Sequence, residues 1–426
     1  MTIVIFVATL FAAMAIGLPI AFALILSAVA LMVHLDLFDP QILAQNLVGG
    51  ADSFTLLAVP FFMLAGEIMN TGGLSKRIVN FALAMMGHIR GGLGYVTIIA
   101  ACILAALSGS AAADAAALGA LLVPMMVKTG HEKGRSVGLV AASSIIGPII
   151  PPSIGFILLG VAANLSISKL FLAGIAPGLM IGFALAATWY FISGREKVEV
   201  RPRATGAERV KALREGAWAL GLPVIIIFGL KFGLFTPTEA AVVAAAYALF
   251  VSSVIYREMT PSLLLRVFVS SAKVTSAVIF MVASALVAAW LITIADLPGQ
   301  MVELLGPFME SPRLLMLVIM LIIVAIGMAM DMAPTILILG PILVPVVQQA
   351  GIDPIYFGVM LIINTSIGLI TPPVGTVLNV TAGVTRTSMA SVIRGVWPFI
   401  AVELLVLLAM VTFPELITIP AAWLNH

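Results

Sequence analysis

Two proline-broken apolar stretches recur at one spacing along this chain, so its halves must be built alike. Val123-Pro124 precedes Pro151-Pro152 as Val344-Pro345 precedes Pro372-Pro373, and one shift of 221 residues (124 to 345, 151 to 372) also carries Gly130 onto Gly351 and Gly147 onto Gly368. Upstream of each copy an Asp follows small or flexible residues, in Ser108-Gly109-Ser110-Ala111-Ala112-Ala113-Asp114 and in Gly327-Met328-Ala329-Met330-Asp331. Glycine- and proline-interrupted apolar segments in matching places of two halves mark a secondary transporter, because unwound backbone near the bilayer midplane can bind ions and substrate.

With 62% hydrophobic and 9% charged residues and a mean hydropathy of +1.21, the chain reads as an integral membrane protein rather than a soluble globule. Its long apolar stretches lack the alternation of a membrane barrel, so the spans are helical. Met1 to Leu35 has no basic n-region or small-residue cleavage site and reads as a retained membrane segment. The single cysteine, Cys102, excludes an internal disulfide framework, and a formal charge of +2 is too small to imply nucleic acid.

The polar stretch Gly194 to Glu215 holds Arg195, Lys197, Arg201, Arg203, Arg209, Lys211 and Arg214, and its charge assigns it to the cytoplasm as an inter-repeat linker, 194–215. Counting outward from it, the first inverted repeat is 1–193: scaffold spans 1–71, an arm 74–90, a re-entrant hairpin 95–127, a broken helix 136–163 and a return span 170–193. The second is 216–426: scaffold spans 216–296, an arm 299–310, a hairpin 314–347, a broken helix 355–385 and a final span 396–420. The fold class predicted is an all-α integral membrane protein of two inverted-topology repeats, each with three scaffold spans, a re-entrant hairpin and a broken helix. Repeat symmetry asks for two short spans in Met1 to Leu35, turning at Gly17-Leu18-Pro19, and puts the N-terminus outside; one long tilted helix is the alternative.

These residues resemble the large membrane subunit, or M subunit, of tripartite ATP-independent periplasmic (TRAP) transporters. The resemblance covers essentially the whole chain and rests on Leu57-Ala58-Val59-Pro60-Phe61-Phe62-Met63-Leu64-Ala65-Gly66, Ser108-Gly109-Ser110, Pro148-Ile149-Ile150-Pro151-Pro152-Ser153 and Gly368-Leu369-Ile370-Thr371-Pro372-Pro373-Val374-Gly375. Gly72 to Ile78 and Gly351 to Gly358 are similar to the subgroup linked to sugar-acid uptake, diketogulonate included. The resemblance implies an elevator-type member of the ion-transporter superfamily in the bacterial inner membrane. It implies import of an organic acid coupled to Na+ as the coupling ion, with no ATP. The partners it implies are a small four-helix membrane subunit, a periplasmic substrate-binding protein and membrane lipid.

A sodium ion needs several oxygen ligands, and the turn Ser108-Gly109-Ser110 offers hydroxyls and freed carbonyls, with Asp114 one turn on, either to add negative charge or to hold the tip through hydrogen bonds, and Gly147 in the break of the next segment. Close packing of small residues in a membrane is the alternative reason for that turn. A second sodium site is expected from Gly327, Asp331 and Thr371, with capping of the second hairpin arm as the alternative role of Asp331. For a carboxylate substrate, Ser153 and Gly155 start one half-helix and Gly375, Thr376 and Asn379 its counterpart, where N–H groups and dipoles point outward. Thr376 and Asn379 can instead bridge helices through ordinary hydrogen bonds. Glu67 and Glu239 read as helix-end or interdomain partners, and the positive-inside rule already accounts for Arg386 and Arg394.

A self-sufficient ion-coupled organic-anion carrier is the nearest rival function. An intramembrane aspartyl protease using Asp114 and Asp331 is more distant, since neither lies in a Gly-x-Gly-Asp context. His34, His88, His131 and His426 are scattered, and no Gly-x-x-x-x-Gly-Lys-Ser/Thr loop is present, which argues against a metal enzyme and against ATP hydrolysis.

Overall fold

The computed structural model describes residues 2–196, 198–328 and 330–425. Lys197 of the linker, Ala329 of the second tip, Met1 and His426 lie outside the described residues. The described residues are helical or irregular, with no strand among them. Eight helical stretches of 18 residues or more are long and apolar enough to cross a membrane.

The chain opens with α1 (Thr2–Ala15) and α2 (Ile20–His34), so residues 2–34 form two helices. They turn where Gly17 takes a positive φ of 89° and Pro19 cannot continue the first helix. Next come α3 (Pro40–Ala51), α4 (Ala58–Thr71) and α5 (Leu74–Met86). A tight pair follows, α6 (Gly92–Ser108) and α7 (Ala111–Lys128), then α8 (Lys133–Ser144), α9 (Ile154–Ala162) and α10 (Ile167–Ser193). The second half has α11 (Gly206–Lys231), α12 (Pro237–Phe250), α13 (Pro261–Ile294) and α14 (Leu297–Met309). It ends with α15 (Pro312–Gly327), α16 (Met332–Gln349), α17 (Pro354–Gly368), α18 (Thr376–Thr385), α19 (Met389–Thr412) and α20 (Glu415–Asn425).

Local chemistry explains many starts. Asp39-Pro40, Thr236-Pro237, Thr260-Pro261, Ser311-Pro312 and Asp353-Pro354 each set a capping oxygen before a proline in the first turn, where its missing N–H costs nothing. The linker is shorter than its charge suggests. Thr205 and Glu208 form a capping box, so helix runs from Gly206, and Arg209, Lys211 and Arg214 ride on its first turns. The Thr205 backbone N–H, then its hydroxyl, hold the Glu208 carboxyl below the usual carboxylate range. The last span also differs from 396–420, because α19 starts at Met389 and the chain breaks at Phe413-Pro414 before α20.

The shift of 221 places Ala111 on Met332 and Lys128 on Gln349, so α7 and α16 coincide from end to end. It also places the first residue of α8 on that of α17. Where the halves part is α3–α4 against α13, because Pro40 maps onto Pro261 yet only the first copy breaks, at Asp52-Ser53. Gly49-Gly50-Ala51-Asp52-Ser53 is rich in residues that leave a helix, whereas Ser270-Ser271-Ala272-Lys273-Val274 carries the second copy through 34 helical residues.

Packing gathers α6–α10 with α15–α20, and α1–α5 with α11–α14. The tightest seam in the first group joins α8 to α19. A methyl added at Gly395 would lie 2.0 Å from the Gly134 carbonyl oxygen, and one at Gly138 would lie 2.6 Å from the Gly395 carbonyl carbon. Small residues four apart on α8 thus let two backbones touch, the usual solution for helices packed in lipid. At one end of this group the linker is strapped down. Arg90 Nη2 donates to the carbonyls of Gly194 (3.0 Å) and Glu196 (3.2 Å), His131 Nδ1 lies 2.6 Å from Glu196 Oε2, and the Glu199 N–H donates to Thr129 O at 3.0 Å. Trp189 packs against His131 with the ring planes tilted by 44° and donates from Nε1 to Gly91 O at 2.8 Å.

Candidate functional site

The first hairpin turns because Gly109 takes a left-handed φ of 60° after α6, and Ser110 caps α7 by accepting from the Ala113 N–H at 3.4 Å. One turn into α7 stands Asp114, 1% exposed. Its Oδ1 accepts from the Ser108 hydroxyl at 2.6 Å, and its Oδ2 has no hydrogen-bond partner among the described residues. That free oxygen faces the break between α8 and α9, since a methyl added at Gly147 would sit 2.7 Å from it and 3.1 Å from the Ser144 carbonyl oxygen.

The break follows from its prolines. Pro148, Pro151 and Pro152 have no N–H to donate, so the carbonyls of Ser144, Gly147 and Pro148 lose their helical partners. Pro151-Pro152 and Pro372-Pro373 are both cis. Ser144 O is taken up by the Gly147 N–H at 3.0 Å, and the Ser153 hydroxyl donates to Pro148 O. The unpartnered Asp114 oxygen therefore meets the broken backbone at Gly147 and Ser144 O, hard oxygen donors of the kind a small cation takes. No group of three or more His, Cys, Asp or Glu gathers anywhere among the described residues. Any ion held at this tip must rely on backbone and hydroxyl oxygens beside Asp114.

The second tip differs. Counted by the 221 shift, Asp331 is the partner of Ser110 and Thr335 that of Asp114, so the two aspartates are not equivalents. Asp331 is exposed and caps α16, accepting at Oδ1 from the Met332 N–H at 2.9 Å and, at 3.5 Å, from the Thr376 hydroxyl. Thr335 is buried and donates to Asp331 O at 2.8 Å. Gly327 meets the second break by backbone contact, because a methyl at Gly368 would lie 2.8 Å from Gly327 O. Thr371 is buried and its hydroxyl donates to Ile367 O at 2.7 Å.

The half-helices interlock across the repeats: α9 packs on α16 of the second hairpin and α18 on α7 of the first. Ser153 caps α9 by accepting from the Phe156 N–H at 3.2 Å and is fully enclosed. Gly155 abuts Met332, Ile336 and Ile362. A methyl at Gly109 would lie 2.5 Å from Pro152 O, so the first tip also rests against the start of α9. Gly375 opens α18 with a φ of 45°, half-buried Thr376 reaches Asp331, and exposed Asn379 donates to Val374 O at 2.9 Å. Both tips and both half-helix N-termini thus converge, with the first side enclosed and Asp331, Val374 and Asn379 open to the surroundings.

Gly66 belongs to the site although it entered only as part of a motif: a methyl there would lie 3.3 Å from Ser108 Cα, so α4 closes over the first tip. Buried Ser143, whose hydroxyl beside the break has no partner among the described residues, was also not picked out, because one serine in an apolar helix gives no periodic signal. Since Asp331 is an exposed cap, Asp331→Ala is expected to change transport by no more than about fivefold, the size of one lost helix cap. Uptake assays on the variant check this, and abolished uptake with normal insertion would make Asp331 a ligand instead.

The family profile described as "Tripartite ATP-independent periplasmic transporter, DctM component" matches residues 7–416. The chain is 57% identical to the 2,3-diketo-L-gulonate TRAP transporter large permease protein YiaN of Escherichia coli over 100% of both. It is 39% identical to the sialic acid TRAP transporter large permease protein SiaM of Vibrio cholerae over 96% of each. It is also 39% identical to the C4-dicarboxylate TRAP transporter large permease protein DctM of Pseudomonas aeruginosa, over 88% of this chain and 89% of that one. Among solved structures, the YdaH transporter of Alcanivorax borkumensis shares the fold with a TM-score of 0.64 at 14% identity, over 87% of this chain and 86% of that one.

Proposed function

Because the chain belongs to the family of DctM-type large membrane components of TRAP transporters, we propose that it imports an organic acid of the sugar-acid or dicarboxylate type by sodium-coupled, binding-protein-dependent secondary transport. It is a multi-pass protein of the inner membrane, and its relatives are named as permease subunits rather than enzymes. The observation that carries the proposal is the meeting of Asp114 Oδ2 with the broken backbone at Gly147, inside a convergence of two hairpin tips and two half-helix N-termini. A cation at that oxygen neutralises a carboxylate that lacks a counter-charge, and the opened side at Asp331, Thr376 and Asn379 admits an acid.

In this reading residues 1–193 and 216–426 are the inverted repeats around the basic linker on the cytoplasmic side, and α6–α10 with α15–α20 travel against the other helices as an elevator. A small four-helix membrane subunit braces the stationary group, and a periplasmic binding protein delivers the acid. The names of the relatives make sugar acids, sialic acid and C4-dicarboxylates the acids to try first.

The experiment is uptake of labelled 2,3-diketogulonate, sialic acid and succinate into proteoliposomes holding the chain with its small subunit. A sodium gradient is imposed or omitted, and the binding protein is added or left out. Uptake of one acid that needs both sodium and the binding protein is expected. Sodium-driven uptake without the binding protein would instead make this a self-sufficient carrier, and flux indifferent to the gradient would end the symport reading.

A further inference from the structure

Beside the tips, α19 carries a carboxyl that the reading above leaves without a task. Glu403 is 0% exposed in mid-helix, and neither of its carboxyl oxygens has a hydrogen-bond partner among the described residues. The fold does not ask for a polar group there, because the 221 shift puts Gly182 at this place in the first repeat. A methyl at Gly182 would lie 3.0 Å from Cys102 Sγ and 3.8 Å from atoms of Ile98 and Ile146. The shift turns those three residues into Ile323, Ile319 and Ile367, an apolar wall along the seam of α15 and α17. One turn before Ile367, fully buried Asn364 donates to Met320 O at 2.8 Å, while its Oδ1 has no partner among the described residues.

Among the described residues no counter-charge is placed to neutralise Glu403. Helix α19 packs against α8, α10, α15, α17, α18 and α20. Among the described residues, the charged side chains of those helices are Lys133, Arg135, Lys169, Arg313 and Glu415, each within the first three residues of its helix. Arg394 on α19 itself stands nine residues away, toward one end. Tyr190 sits in the last turn of α10, and the Tyr356 hydroxyl of α17 is tied to Met410 O at 2.9 Å. A carboxyl this deeply buried and without a hydrogen-bond partner among the described residues is costly to ionise, a cost that the neutral carboxyl avoids.

We propose that Glu403 is a proton-binding site of the mobile group of helices, carrying H+ while enclosed and exchanging it with water in another arrangement, so that transport depends on protons separately from sodium. Binding adds one H+ to one carboxylate oxygen and changes no other bond. The proposal rests on the transport reading, and its test separates the two.

The purified complex is studied by infrared spectroscopy across pH, and the same preparations are assayed for sodium-driven uptake of labelled 2,3-diketogulonate. A protonated-carboxyl band at neutral pH that is lost in Glu403→Gln is expected. Above the titration midpoint wild-type uptake should fall by up to about tenfold per pH unit, with the Gln variant flat across the same range. An identical infrared spectrum in wild type and Glu403→Gln, or an identical pH profile of uptake, would overturn the proposal. Should the Gln variant not fold, Glu403→Asp keeps a titratable group, and its band must shift from that of wild type or the proposal falls. Absence of any sodium-driven uptake in wild type would count against the transport reading alone, since the infrared arm needs no substrate.

Discussion

Asp114→Asn is expected to raise the sodium concentration for half-maximal activation by about a hundredfold, equivalent to about 2.7 kcal/mol, while leaving insertion and complex assembly intact. Asn keeps the shape of Asp and an oxygen for the Ser108 hydroxyl, which Asp114 now engages at 2.6 Å, so the hairpin turn has no cause to change. What disappears is the charge on the oxygen that faces Gly147 and has no partner among the described residues. Ser108→Ala removes the hydrogen bond and leaves the charge, and its effect should be about tenfold, the lower end of what one charge-assisted bond contributes. Sodium titration of thermal stability in detergent, followed by uptake, measures both. Half-activation of Asp114→Asn within about threefold of wild type would remove this carboxylate from the ion site.

Gly395→Leu is expected to cost more than about 3 kcal/mol and to send most of the protein into aggregates. At that position even a methyl carbon would lie 2.0 Å from Gly134 O and 2.7 Å from the Arg135 N, both backbone atoms that cannot swing aside. Both helices would have to part along their length, opening the seam that joins the first broken helix to the last long span. Gly383→Ala serves as the control, because its added methyl meets nothing within 4 Å and Ala favours the helix by roughly 1 kcal/mol. Size-exclusion profiles of the detergent-solubilised variants decide the matter. A monodisperse Gly395→Leu with wild-type melting would show that the seam can repack.

The repeated breaks were legible because proline and glycine act on backbone hydrogen bonds wherever they stand, and so was the turn at Gly17; the cap-plus-proline starts carried their signal too but were not picked out. The capping box at Thr205 and Glu208 was equally readable, but seven basic residues drew the linker out to Glu215 on charge alone. Asp114 and Asp331 looked alike because each follows a flexible stretch. Only the ends of α7 and α16 reveal that one is a buried neighbour of Gly147 and the other an exposed cap. Glu403 gave no signal at all, since a single carboxyl in an apolar run has neither spacing nor a partner to announce it. Gly134 and Gly138 carried the small-residue spacing of a helix contact, but the sequence does not say that the opposite backbone belongs to α19.

The difference between α13 and its jointed counterpart gives the outer group an unequal mechanical character. A continuous helix of 34 residues is about 51 Å long at 1.5 Å per residue, well beyond the hydrocarbon thickness, and it behaves as a beam that bends little along its length. Its counterpart is two struts meeting at Asp52-Ser53, with α3 resting on the beam where Gly50 comes against Ala283. In the elevator proposed above, a load from the inner helices would be carried through on the beam side, whereas on the other side the yielding would be concentrated in two residues.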